Sequence, residues 1–231
     1  MTLKGTVSTI IFLLLLSCGS NLNSDEFIQK TTGRYLYNSD EVVEVYFEEN
    51  DLLIKWRGAT AITPLKVSDD TFFVKEMNEK VQFLNNPSDG KDYMVLVPKE
   101  KTDTLKYNFR KLEVTEKIPS EYLKDKEFDK ALEAYLAIRK KDSLDGSLKE
   151  GNFNRLGYKE LRDENFDEAK AIFKINIALY PESSNVYDSY AEAFRRSGDT
   201  ITAIEYYKKS IAIDSGNRDA KRFVEKYDKK E

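Results

Sequence analysis

Residues 150–217 repeat at an offset of 34 positions. Phe153 returns as Tyr187, Leu156 as Tyr190, Gly157 as Ala191, Ala169 as Ala203, Phe173 as Tyr207 and Ile177 as Ile211. A unit of this length is one supersecondary block, too small to bury its apolar face alone. It becomes stable only by stacking on neighbours. The constraint is therefore strong: the second half of the chain has to be a stack of similar helical pieces, closed at its ends. Small Gly157/Ala191 and Ala169/Ala203 let the two helices of a unit approach closely. Phe153/Tyr187 and Phe173/Tyr207 are expected to fill the space between units.

The first unit, 150–183, carries Pro181 near its end, and the second, 184–217, has Ser215 at that place. A weaker, earlier copy is visible in Phe128, Ala131 and Tyr135, which follow the spacing of Phe166, Ala169 and Phe173. Ala131 and Ala169 are 38 apart, so about four extra residues fall near Asp145-Gly146-Ser147. The leading helix of this copy is expected to be short, because Pro119 interrupts its approach. Arg218 to Lys230 reads as a closing helix with Ala220, Phe223, Val224 and Tyr227 turned inward. The period and these letters resemble the tetratricopeptide repeat.

Ahead of the helices, from Gly33 to about Leu112, the pattern has period two. Val43, Val45 and Phe47 alternate with Glu44, Tyr46 and Glu48. Further short candidates are Asp51 to Arg57, Thr60 to Val67, Thr71 to Lys75, Lys80 to Asn85, Asp92 to Val97 and Thr104 to Lys111. Turn signals separate them, and no helical pattern interrupts them. The fold class is α+β: a small antiparallel β-sheet or half-barrel, residues 30–113, followed by an α-helical repeat domain, residues 114–231. Trp56, the single tryptophan, reads more readily as core than as a ligand platform.

The first 17 residues combine Lys4 with the apolar run Val7 to Leu16, the length of a signal-peptide core rather than a comfortable membrane span. The run ends in Leu15-Leu16-Ser17-Cys18, which resembles a bacterial lipobox. That resemblance implies cleavage after Ser17 and a lipid on Cys18, with residues 18–29 as lipidated N-terminus and tether. It also implies an envelope location, with Gly19 favouring the outer membrane. The alternatives are a soluble secretory signal or an uncleaved membrane anchor.

Composition narrows the chemistry. The chain has no histidine and one cysteine, 41 acidic and 37 basic residues. A Ser-His-Asp triad and a His-containing zinc site are thereby excluded, and an internal disulfide is impossible. A net charge of −4 argues against phosphate-backbone binding. Ser88 and Lys91 match a bare Ser-x-x-Lys spacing, but they follow Asn85-Asn86-Pro87 in a strong turn, and no supporting motif occurs later. Paired carboxylates such as Asp69-Asp70 and Asp163-Glu164 fall at turns and helix starts. No metal site, cofactor or catalytic residue is expected.

The segments Leu156-Gly157-Tyr158, Ala169 to Asn176, Tyr180-Pro181-Glu182-Ser183 and Asn185 to Ala193 resemble the helical tail of certain exported proteins of Bacteroidetes-type bacteria. In those proteins the tail follows a serine β-lactamase-like or esterase-like hydrolase. Gly33-Arg34-Tyr35, Pro64-Leu65 and Thr71-Phe72-Phe73 resemble the small lipocalin-like domain between hydrolase and tail. Only signal and tether precede Gly33, so the resemblance implies an accessory cassette without its enzyme. Asn176 and Asn185 are specific letters of that tail, though helix packing and helix capping also account for them.

Functionally, the first helices of the units are expected to line a concave face. Asn154, Tyr158 and Arg162 of the first unit, and Asn185, Asp188, Glu192 and Arg195 of the second, are the candidate partner-binding residues, with Leu161 and Arg196 beside them. The expected function is a lipid-anchored, non-catalytic envelope protein that binds a protein or peptide partner there. The alternatives are an accessory subunit of an envelope serine hydrolase, or small-ligand binding in the β domain.

Overall fold

The structure is a computed structural model that describes residues 22–100 and 102–228. Residues 1–17, read as a signal, and Cys18, read as the lipid site, lie outside the described residues. Within the stretch read as tether, Ser24 caps a short helix, α1 (Asp25–Thr31), through its hydroxyl, which accepts from the Phe27 N–H at 3.1 Å. Period-two reasoning does not find so short a helix. Its aromatic residue, Phe27, packs against Phe47, Phe72 and Phe83 and seals one end of the β core.

Among the described residues nine strands follow. β1 (Gly33–Asn38), β2 (Glu41–Glu48), β3 (Asp51–Trp56) and β4 (Ala59–Ile62) form one antiparallel sheet in chain order. β5 (Leu65–Lys66), β6 (Thr71–Val74), β7 (Glu79–Asn85), β8 (Asp92–Leu96) and β9 (Phe109–Arg110) form a second. The expected strand Thr60 to Val67 divides at Thr63-Pro64, because Pro64 has no N–H to give a ladder. The expected strand Thr104 to Lys111 shrinks to Phe109–Arg110.

The two sheets meet on one side, where Tyr35 bridges Lys111 and the Leu112 N–H donates to the Arg34 carbonyl at 2.7 Å. On the other side β4 and β5 are not hydrogen-bonded partners. The inward residues Tyr35, Val43, Val45, Ile54, Phe72, Val74, Val81 and Met94 are fully buried between the sheets. Trp56 is part of this packing, its ring 5.1 Å from that of Tyr37 and covered by the Arg57 guanidinium.

The helical half contains α2 (Pro119–Lys124), α3 (Phe128–Lys141), α4 (Glu150–Arg162), α5 (Phe166–Leu179), α6 (Ser184–Arg196), α7 (Thr200–Ile213) and α8 (Arg218–Tyr227). α4 pairs with α5 and α6 with α7, while α6 packs along α5 and α8 along α7. This is a tetratricopeptide-like stack. Gly157 lets α4 close on α5, since a Cβ there would stand 2.5 Å from the Phe173 ring. Ala191, Ala203, Tyr207 and Ala220 form the matching core of the second unit and its cap. One aromatic expectation is corrected. Phe153 is buried, but Tyr187 is only half-buried and its hydroxyl donates to the Pro181 carbonyl, while neighbouring Val186 takes the buried place.

α2 is six residues long, where α4 and α6 each have thirteen. The β1–β2 turn closes its N-terminus instead of further helix. The Asp40 carboxylate accepts from the Ser120 N–H at 2.6 Å and from the Tyr135 hydroxyl at 2.7 Å. Ser39 donates to Asp145, and Arg34 donates to the Glu116 carbonyl and to the Glu121 carboxylate.

Candidate functional site

The linker from α3 to α4 runs from Asp142 to Lys149, four residues longer than the Tyr180 to Ser183 linker from α5 to α6. It lets α4 stand off from α3, and few contacts join them. With α2 cut short, the space between the first two units opens into a groove of about 740 Å³. That volume lies within the range of about 300–1,000 Å³ usual for ligand clefts.

Leu123, Phe128, Phe153, Leu156 and Ile172 give the groove an apolar floor. Its rim is charged. Lys126 pairs with Glu168 at 2.7 Å, and Lys159 lies between Glu160 and Asp163 at 3.4 and 3.5 Å. Lys124, Arg155 and Arg162 also line it, and among the described residues none of the three has a carboxylate partner. Asp40 stands at one end. Burial raises its carboxyl above the ordinary range, and the hydrogen bonds from Tyr135 and Ser120 offset that only in part.

The seven candidate residues from sequence divide between this groove and the α4–α6 side. Arg162 is exposed on the groove rim. Asn154 is half-buried, and its Oδ1 is buried without a hydrogen bond. Tyr158 is half-buried with its ring 5.4 Å from that of Phe173. Burial raises its hydroxyl, with Asp188 and Glu192 adding to the effect. Asn185 donates to Glu150 at 2.7 Å. Asp188 accepts from Asn217, the capping residue of α8, at 2.6 Å, and burial still raises its carboxyl.

Glu192 collects Arg195, Arg196 and the Tyr207 hydroxyl. Burial works against its charge, but those hydrogen bonds overcome it and hold the carboxyl at about 2. Asp188, Glu192 and Arg195 therefore use much of their bonding capacity within the repeat. Asn176 and Asn185 converge on the first residue of α4: Asn176 donates to the Glu150 carbonyl at 3.2 Å, and Asn185 to its carboxylate. That gives both a packing role.

Sequence reasoning missed Lys124, Arg155, Lys159 and the apolar floor. The signal was present in the four-residue excess before Glu150 and the proline-shortened first helix. Ser88 and Lys91 lie in the exposed β7–β8 turn, their backbones held by Asn86 and Asp89. Among the described residues no cluster of His, Cys, Asp and Glu is arranged to hold a metal ion, and no helix is long and apolar enough to cross a membrane.

No family model matches the chain, and no curated protein matches it. Solved structures do, over about half of the chain. The first tetratricopeptide domain of Spaghetti (RPAP3), bound to the HSP90 peptide SRMEEVD, is similar at 15% identity. The match covers 48% of this chain and 85% of that one, with a TM-score of 0.34. MamA is similar at 20% identity over 50% of this chain and 66% of its own, with a TM-score of 0.33. The Arabidopsis OM64 tetratricopeptide domain is similar at 14% identity over 49% and 90%, with a TM-score of 0.34. At such values the likeness carries no functional argument. The repeat character of α4 to α7 rests on its own period and packing.

Proposed function

We propose that this chain is a lipid-anchored, non-catalytic envelope protein whose helical repeats bind a segment of a protein partner. The observation that carries the reading is the groove between the first and second units, with its apolar floor and three cations lacking carboxylate partners. Such a surface accepts a chain segment that places an apolar side chain on Leu123, Phe128 and Leu156 and carboxylates toward Lys124, Arg155 and Arg162. The concave face of α4 and α6, with Asn154, Tyr158, Asn185, Asp188, Glu192 and Arg195, continues the contact from Arg162 on the groove rim. Lipid on Cys18 supplies the membrane anchor, at the outer membrane. A separately encoded envelope hydrolase is one partner that this reading accommodates.

Ligand binding inside the β region, read as a lipocalin-like module, is disfavoured by its packing. Phe27, Phe47, Phe72 and Phe83 fill the space between the sheets. The pocket beside them holds about 240 Å³, below the range of typical ligand sites.

A photo-crosslinking residue at Leu156, in the host envelope, tests the reading. One dominant protein adduct is expected. The double variant Arg155→Glu, Arg162→Glu should reduce its yield at least about tenfold, since two reversed contacts remove more than about 1.4 kcal/mol. Diffuse labelling, or a dominant adduct indifferent to the charge reversal, counts against it.

A further inference from the structure

Asn23 sits five positions after Cys18, and the fold holds it tightly. It is 9% exposed. Its side-chain amide donates to the Asn50 carbonyl at 2.7 Å, the Asn50 amide returns a bond to the Asn23 carbonyl at 2.8 Å, and the Asn23 N–H donates to the Asn50 side chain. The chain is thus fastened to the β2–β3 turn. A fully extended chain spans at most about 3.6 Å per residue, so Cys18 lies within about 18 Å of that turn.

Three apolar side chains on the segments at this end of the β region are exposed. Leu22 is 65% exposed, and Leu65 and Val67, on and beside β5, are 66% and 51% exposed. The Lys66 side chain reaches the Leu22 carbonyl at 3.5 Å. Leu65 and Val67 point to the same side of the extended chain, and Lys66 to the other. Both are exposed on the described fold. The neighbouring turn carries Glu48, Glu49 and Asp51, so this edge is not a reader of anionic headgroups.

The helical repeat is fastened elsewhere. Ser39 and Asp40, which hold Asp145, Ser120 and Tyr135, lie at the opposite end of β2 from Asn50. β2 has eight residues, which at about 3.3 Å each separates the two ends by about 26 Å.

We propose that Leu65 and Val67, on the strand beside Leu22, form a membrane-contacting edge that enters the lipid interface, and that the β region is a spacer holding the repeats away from the bilayer. The occupant of the edge is the lipid surface itself. The inference rests on the membrane attachment in the proposed function. Either a lipid on Cys18 or retention of the apolar run Val7 to Leu16 would bring the bilayer within this reach.

The test uses full-length protein extracted with its anchor and reconstituted in zwitterionic phosphatidylcholine vesicles containing spin-labelled lipid. An environment-sensitive fluorophore is placed in separate variants at Leu65→Cys, Val67→Cys and Leu144→Cys. Leu144 is 90% exposed and neighbours Asp145, at the far end of β2. Labels at 65 and 67 should shift to the blue and be quenched several-fold more than the label at 144. Equal, water-like signals at all three positions, on protein that floats with the vesicles, overturn the membrane edge and leave the anchor standing. Protein that neither carries a lipid or retained apolar run by mass nor floats with vesicles overturns both.

Discussion

Gly157 shows how one missing Cβ sets a helix spacing. The Phe173 ring occupies the place a methyl group would take, with its nearest atoms 2.5 and 2.6 Å away. Gly157→Ala should therefore destabilise the chain by about 1–3 kcal/mol through overpacking, against a helix-propensity gain of no more than about 1 kcal/mol. A denaturant midpoint measured for both proteins checks the sign; a stabilised variant would mean the ring moves freely. Glu192 supplies a second residue-scale expectation. Its carboxyl is held at about 2 in the fold against an ordinary 4.5. The stability it contributes is present above 4.5 and is lost as pH falls toward 2. Burial raises Asp40 and Asp188, so they act in the opposite sense. Comparing the chain with Glu192→Gln isolates the Glu192 effect: the difference in unfolding free energy should shrink on acidification from 4.5 toward 2. A constant difference would show that Arg195, Arg196 and Tyr207 do not favour the charged form.

At the scale of elements, α2 is the informative piece. Ile118 stands at its N-cap and has no side-chain oxygen to offer, so the orphan N–H of Ser120 takes Asp40 from another part of the fold. Asp40→Ala would leave that N–H and the Tyr135 hydroxyl without their acceptor, at a cost of about 1–3 kcal/mol. Hydrogen exchange at Ser120 should accelerate accordingly, and unchanged protection would remove Asp40 from the capping role. Much at this scale was legible in the sequence. The 34-residue offsets placed α4 to α7, Pro119 shortened α2, and the 38-residue spacing located the longer linker. What was not legible depended on contacts between distant segments. α1 exists because Phe27 has aromatic partners on three different strands. A seven-residue segment has no period strong enough to announce itself.

For the whole molecule, the site belongs to neither half alone. The groove takes its walls from α2 to α5 and one end from Asp40 in the β1–β2 turn. Sequence reasoning placed the partner-binding face on the first helices of the repeats. It did not find the groove, because a void between units is set by how far α4 stands from α3, and apolar periodicity does not encode that distance. The Asp40 bridge also bears on the order of assembly. Its two partners lie 80 and 95 residues downstream, so the contact closes a long loop and forms late compared with the local hairpins. The β region precedes the helices in the chain, and its acceptor carboxylate sits in the local β1–β2 hairpin. If the helical stack finishes its first unit against that template, an N-terminal truncation should damage the start of the repeats, whereas loss of α8 should damage only their end.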